Sequence, residues 1–385
     1  MTQDIRDFVT PSCELLALGE PTHRARAFAW IRNALFAQLA GHGFRSIALE
    51  TDRVTALAVD DFVRNGAGTL DSAMGTGFSH GLGELDANRQ LIAWMRAHNE
   101  DRPARERLAF HGFDVPTEMT GAPSPRPYLA HARDYLGLDT DLAALAGDDE
   151  RWSRPEAVLD PAVSMGATAG AERLRSVAYD MLDSLHARAA ELVPATSRAA
   201  WFRAEAHLTT GLGLLRYHRE SARPGDRTER FSRQLATRDA LMARNLLAVR
   251  NVEAGRGATL VFAHSLHLQR NPSRWPLPET DLAWSGAGAI VGSLLGERYA
   301  YVAGGLGRSE AIGLPEPRPD THEGLLQRRV TGWGLVPADA AGPARTRTDT
   351  TPQQGYAPLD RETLGAADAV LHVGADADRG ALPGT

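Results

Sequence analysis

Uninterrupted apolar runs alternate with segments of helical period over the first third of the chain. The runs are CELLALGE (13–20), RSIALE (45–50) and LAFHGFD (108–114). Between them, 22–43 sets Phe28, Ile31, Leu35 and Leu39 on one helical face, with Thr22 placed as its cap, and 52–65 and 86–99 also read as helices. Such alternation predicts an α/β fold, a mainly parallel sheet flanked by helices. From about 116 to 256 the runs vanish. Leu174, Val177, Met181, Leu182, Leu185 and Leu192 recur at helical spacing, and 198–218 and 228–250 continue the pattern. Strand signal returns at ATLVFAHS (258–265), ERYAYVAGG (297–305) and DAVLHVG (368–374). The expected organisation is an α/β core from 1–115 and 257–385, interrupted by a helical insertion at 116–256. The stretch 306–361, rich in Pro, Gly and charge, reads as irregular surface chain, and 375–385 should fray.

Composition narrows the functional classes. The 385 residues carry 43% hydrophobic and 23% charged side chains and a net charge of −6, so the balance offers no footprint for nucleic acid. All 42 basic residues are arginine. Without lysine there is no Schiff-base amine, no pyridoxal-phosphate anchor and no Walker-type phosphate loop. Cys13 is the only cysteine, which excludes an internal disulfide and a cysteine metal cluster. The first residues lack a signal-peptide pattern, and no apolar run reaches the roughly eighteen residues of a membrane span, so a cytoplasmic, soluble protein without membrane partners is expected.

The chemically active residues gather at strand ends, where open α/β sheets bind ligands. Glu20 and His23 follow the first strand, Glu50 and Asp52 the second, Asp114 the third, and His264 and His267 the run TLVF. The pairs Glu-x-x-His and His-x-x-His have the i, i+3 spacing that aims two side chains one way in a helical turn. Two mechanisms fit. His23 could serve as a general base for water, with carboxylates orienting it and His264, His267 and Arg32 receiving the oxyanion or protonating the leaving group. Alternatively Glu20, His23, Glu50, His264 and His267 could ligate a divalent metal. A competing motif, GFSHG (77–81), matches the G-x-S-x-G elbow of serine hydrolases, with Ser79, Asp114 and His264 in triad order. It lacks the preceding strand and following helix that the elbow requires.

The ordered set LGEPTHRARAF, IALE, NRQLIAWMRAHN with FHGFD, RDALMARNL and FAHSLH resembles the erythromycin esterase family from about residue 15 to 305, and AADAVLHVG extends the likeness more faintly. The resemblance implies an α/β core whose helical insertion lines a deep cleft, and hydrolysis of a macrolide lactone or other secondary-metabolite ester by activated water. By position it implies Glu20, His23, Arg32, Glu50, His264 and His267 as active-site residues, with His23 the base and no obligatory metal or other cofactor. Arg24 stands where the family commonly has a small residue, and Ser265 where it has asparagine; both would reshape the cleft mouth. Elimination, cyclisation or acyl transfer in biosynthesis would use the same residues.

Overall fold

The computed structural model describes residues 4–8, 10–118, 120–277 and 280–376. Its frame is nine strands: β1 (Leu15–Glu20), β2 (Phe44–Asp52), β3 (Ala109–Asp114), β4 (Ala258–His264), β5 (Ser273–Leu277), β6 (Thr280–Trp284), β7 (Tyr299–Arg308), β8 (Trp333–Pro337) and β9 (Ala369–Ala375). Seven form one sheet in the order β3-β2-β4-β1-β7-β9-β8, parallel except for β8 at the edge; β5 and β6 make a separate antiparallel hairpin. The six apolar runs of the sequence are β1, β2, β3, β4, β7 and β9. They lack polar alternation because helices cover both faces of the sheet: every residue of β1 is buried.

One face is sealed by helices Arg26–Ala40, Ala56–Asn65 and Asp86–Asn99, through Phe28, Ile31, Leu35, Val59, Leu91 and Ile92 among others. The other packs against Ala287–Leu295 and Arg227–Glu253, the latter through Met242, Ala243 and Leu246. Between β3 and β4 the chain is helical, and helices from Arg126–Leu136 to Arg198–Ser221 surround a core of their own built on Leu129, Leu174, Met181 and Leu208.

The topology fixes where a ligand can sit. The chain leaves β1 toward β2 on one side of the sheet, and leaves β4 toward β7 on the other, so the crossovers diverge at the adjacent carboxyl ends of β1 and β4. There the register pairs Glu20 with His264. Gly19 is required behind this point, since a Cβ on it would lie 2.7 Å from Ser265 Oγ.

Two expectations differ in detail. The first helix begins at Arg26 with Ala25 as its cap. Thr22 instead donates to the Gln354 carbonyl, which frees the Glu20–His23 segment to form a turn. The stretch 306–361 is not merely surface chain: it holds β8 and the short helix His322–Gln327, buries Glu323 and Arg347, and brings Pro352–Gly355 over the end of β1. Of the expected fraying segment, 377–385 lies outside the described residues.

Candidate active site

Five of the six residues singled out from the sequence meet around the ends of β1, β2 and β4. His23 Nδ1 lies 2.8 Å from Glu20 Oε1, and its Nε2 3.6 Å from Glu50 Oε1. That same Glu50 oxygen is 3.3 Å from His267 Nε2 and accepts from Arg238 Nη2 at 3.3 Å, while Oε2 accepts the His264 backbone N–H at 2.8 Å. His264 ends β4 and His267 lies in the single turn Ser265–Leu268 that follows, so the His-x-x-His spacing does put both rings on one side. The rings of His23 and His264 are 5.2 Å apart between centroids.

Arg32 is the sixth, and it stands apart. Its guanidinium is buried over the Phe262 ring and donates to Asn33 Oδ1 and Asn88 Oδ1, both neutral. It lines a cavity of about 370 Å³ with Trp30, Asp86 and Asn88. A second cavity, of about 590 Å³, holds His264, His267, Arg238 and an apolar wall of Leu235, Leu266, Leu282, Trp275 and Trp284. His23 and Glu50 line both.

Several participants escaped the sequence reading. Asp239 is wholly buried and accepts from His267 Nδ1 (2.9 Å), Trp284 Nε1 (2.8 Å) and the Ala287 backbone (2.8 Å). Its neighbour Arg238 bridges Glu50 to Asp114, donating to the latter from Nε at 3.0 Å. His80 bonds Asp114 at 3.0 Å and pairs with Glu118 at 2.7 Å. Asp239 and Arg238 belong to RDALMARNL, a motif visible in the sequence but lying mid-helix, where charges read as a solvated face. Ser79 acts as a tether in this structure: its Oγ accepts the Asp52 N–H at 2.9 Å and lies 3.1 Å from Thr51 Oγ1, tying the loop to the end of β2.

The result is a chain of alternating charge, and the neighbours set each proton. Burial alone would depress His23, but Glu50 and the hydrogen bond to Glu20 outweigh it and raise its pKa to about 9. Burial raises Glu20 against the pull of His23. Glu50 is buried too, yet His23, His267 and Arg238 lower it to about 2. His267, also opposed by burial, is raised by Asp239 and Glu50. His264 goes the other way, down to about 3, through burial and the nearby His23. Its neutral ring donates from Nε2 to the Gly355 carbonyl and accepts the Leu266 N–H at Nδ1, so it has no free N–H for a leaving group. Burial lowers Arg32 to about 10. Among the described residues, no group of three His, Cys, Asp or Glu side chains is arranged to hold a metal ion.

The model of a known family, described as erythromycin esterase, matches residues 39–376. The chain belongs to the erythromycin esterase family. The matched span includes Glu50, Arg238, Asp239, His264 and His267 and begins after Glu20, His23 and Arg32. Membership makes a hydrolase of the macrolide esterase type the supported class. No curated protein matches the sequence. Solved structures share the fold. A histidine-to-asparagine mutant of the erythromycin esterase EreC, in its open conformation, is 18% identical with a TM-score of 0.66 over 95% of this chain and 92% of its own. A Bacillus cereus protein is 15% identical, TM-score 0.67, over 96% and 90%. A succinoglycan biosynthesis protein is 15% identical, TM-score 0.66, over 96% and 90%.

Proposed function

We propose that this erythromycin esterase family member hydrolyses a large apolar ester or lactone of macrolide type, with His23 activating water. The carrying observation is the exposure of His23: its side chain is 48% accessible between Glu20 and Glu50, whose side chains are 8% and 6% accessible. A ring held at Nδ1 by a buried carboxylate presents Nε2 to whatever enters the cavity.

In the neutral ring, Nδ1–H donates to Glu20, and the Nε2 lone pair takes a proton from water as its oxygen attacks the ester carbonyl. The negative charge that develops on the carbonyl oxygen faces the cations of the larger cavity, His267 and Arg238. Collapse breaks the bond to the alkoxide, which recovers the proton from His23 Nε2. Glu50 balances the cations, and Arg32, from the smaller cavity, offsets the charge of Glu20. His264 contributes its backbone N–H, which holds Glu50, rather than a side-chain proton.

The raised pKa of His23 has a consequence for rate. At neutral pH the resting ring is mostly imidazolium, so turnover should climb with pH to about 9 instead of levelling in the ordinary imidazole range. The helical stretch 116–256 supplies Glu118, Leu235 and Arg238 to the larger cavity, and this contribution shapes what the cleft accepts. His23→Ala tests the assignment. Hydrolysis of a responsive ester should fall by about 10²–10⁴-fold in a variant that stays folded; near-normal turnover would remove His23 from the mechanism.

A further inference from the structure

His80 is the only non-glycine residue with positive φ among the described residues, at 58°. A β-carbon in the left-handed region is disfavoured, and such outliers persist where the surroundings over-determine them. Here they do. Ser79 on one side is tied to Thr51 and Asp52 at the end of β2, and the His80 ring is held at both nitrogens, by Asp114 at 3.0 Å and Glu118 at 2.7 Å.

The ring lies four ion-pair contacts from His23. From His23 the contacts run to Glu50, from Glu50 to Arg238, from Arg238 to Asp114, and from Asp114 to His80. Arg238 is the shared member: one Nη2 reaches Asp114 at 2.5 Å and Glu50 at 3.3 Å. A cation on the far side of Asp114 satisfies part of that carboxylate, which leaves Arg238 extended toward Glu50.

We propose that His80 is a positioning residue that holds the Asp114–Arg238 pair so that Arg238 stays on Glu50, and so sets the pH at which His23 releases its proton. This rests on His23 being the base. The charged groups facing His80 are Asp114 from β3, Glu118 from the loop beyond it, Arg238 from the Arg227–Glu253 helix and Asp52 from β2. Those facing His23 are Glu20, Glu50, Arg238 and His267 beyond Glu50, together with the titratable ring of His264, 5.2 Å away between centroids. Removing the His80 charge acts in one direction by two routes. It deletes a positive charge from the cluster, and it lets Asp114 draw Arg238 off Glu50; each makes the His23 imidazolium more favourable.

The test is an NMR titration of the His23 ring in the wild-type protein, His80→Asn and His80→Gly. Both replacements adopt the left-handed backbone readily, so the loop keeps its path while the charge is lost. The midpoint should rise by on the order of half a unit or more in both variants. The same rise should move the alkaline inflection of ester hydrolysis and lower the rate at neutral pH by roughly threefold. An unchanged or lowered midpoint in folded variants overturns the proposal, as does failure of both variants to fold, which would make His80 only a loop anchor. Because the titration needs no turnover, a protein that hydrolyses nothing would defeat the functional reading while the role of His80 is still decided by the midpoint.

Discussion

Replacing Glu50 with glutamine keeps its shape and removes its charge, and the effect on His23 can be worked from the geometry. The His23 Nε2 to Glu50 Oε1 separation is 3.6 Å. At an effective dielectric of about 20 a full pair at that distance is worth roughly 4–5 kcal/mol. The His23 ring is about half exposed, so solvent screening cuts this to on the order of 1.5–2.5 kcal/mol, or about one to two pKa units. His23 should then titrate at about 7–8 instead of about 9. The assay is kcat/KM for an ester or lactone substrate from pH 6 to 10. Glu50→Gln loses rate on the alkaline plateau, because His267 and Arg238 lose their counter-charge. It recovers part of that loss at neutral pH, where roughly a quarter of its His23 is neutral against about a hundredth in the wild type. The wild-type advantage should therefore widen by about tenfold or more between pH 7 and 9.5. A folded variant with the same inflection as wild type would refute the claim that Glu50 holds the proton on His23.

Other consequences are simpler to check. Asp239→Asn leaves Trp284 Nε1, the Ala287 N–H and His267 competing for one acceptor inside the protein, and should cost about 2–4 kcal/mol in denaturant unfolding. Ser79→Ala should cost about 1 kcal/mol and keep its turnover, since Ser79 secures a loop; loss of all activity would revive the serine-triad reading. The stability supplied by His23 and His80, with pKa values raised to about 9 and about 10, is full below about 6.5 and is lost as pH rises through those values. Melting temperature should accordingly decline from pH 7 to 10, and less steeply in His80→Asn.

How much was legible in the sequence follows from which signals are local. Strand cores buried on both faces appear as unbroken apolar runs, so the six parallel strands and the Glu20, Glu50 and His264 positions at their ends could be placed. The hairpin β5–β6 and edge strand β8 could not. SRWPL carries serine, arginine and a proline, and WGLVP is a five-residue stretch with a glycine inside it and a proline at its end, so neither has the pattern of a buried parallel strand. Glu20 and His23 converge through a turn rather than through a helix begun at Thr22, because Thr22 bonds a carbonyl more than 300 residues away, which no local pattern encodes. Arg238 and Asp239 illustrate the same limit. Their role depends on which helix face meets the sheet end, and the sequence shows only a charged helix. Arg32 shows the converse: its type and spacing pointed to the site, but the fold turns it into the neighbouring cavity behind Glu20.

The most direct test is to incubate the purified protein with macrolides, simpler lactones and aryl esters in ¹⁸O-labelled water, following product mass beside His23→Ala. The account predicts products that have gained one water and carry the label, with formation all but abolished by the substitution. Water gain that persists undiminished in His23→Ala, or no water gain with any ester by the folded protein across pH 7 to 10, would contradict it.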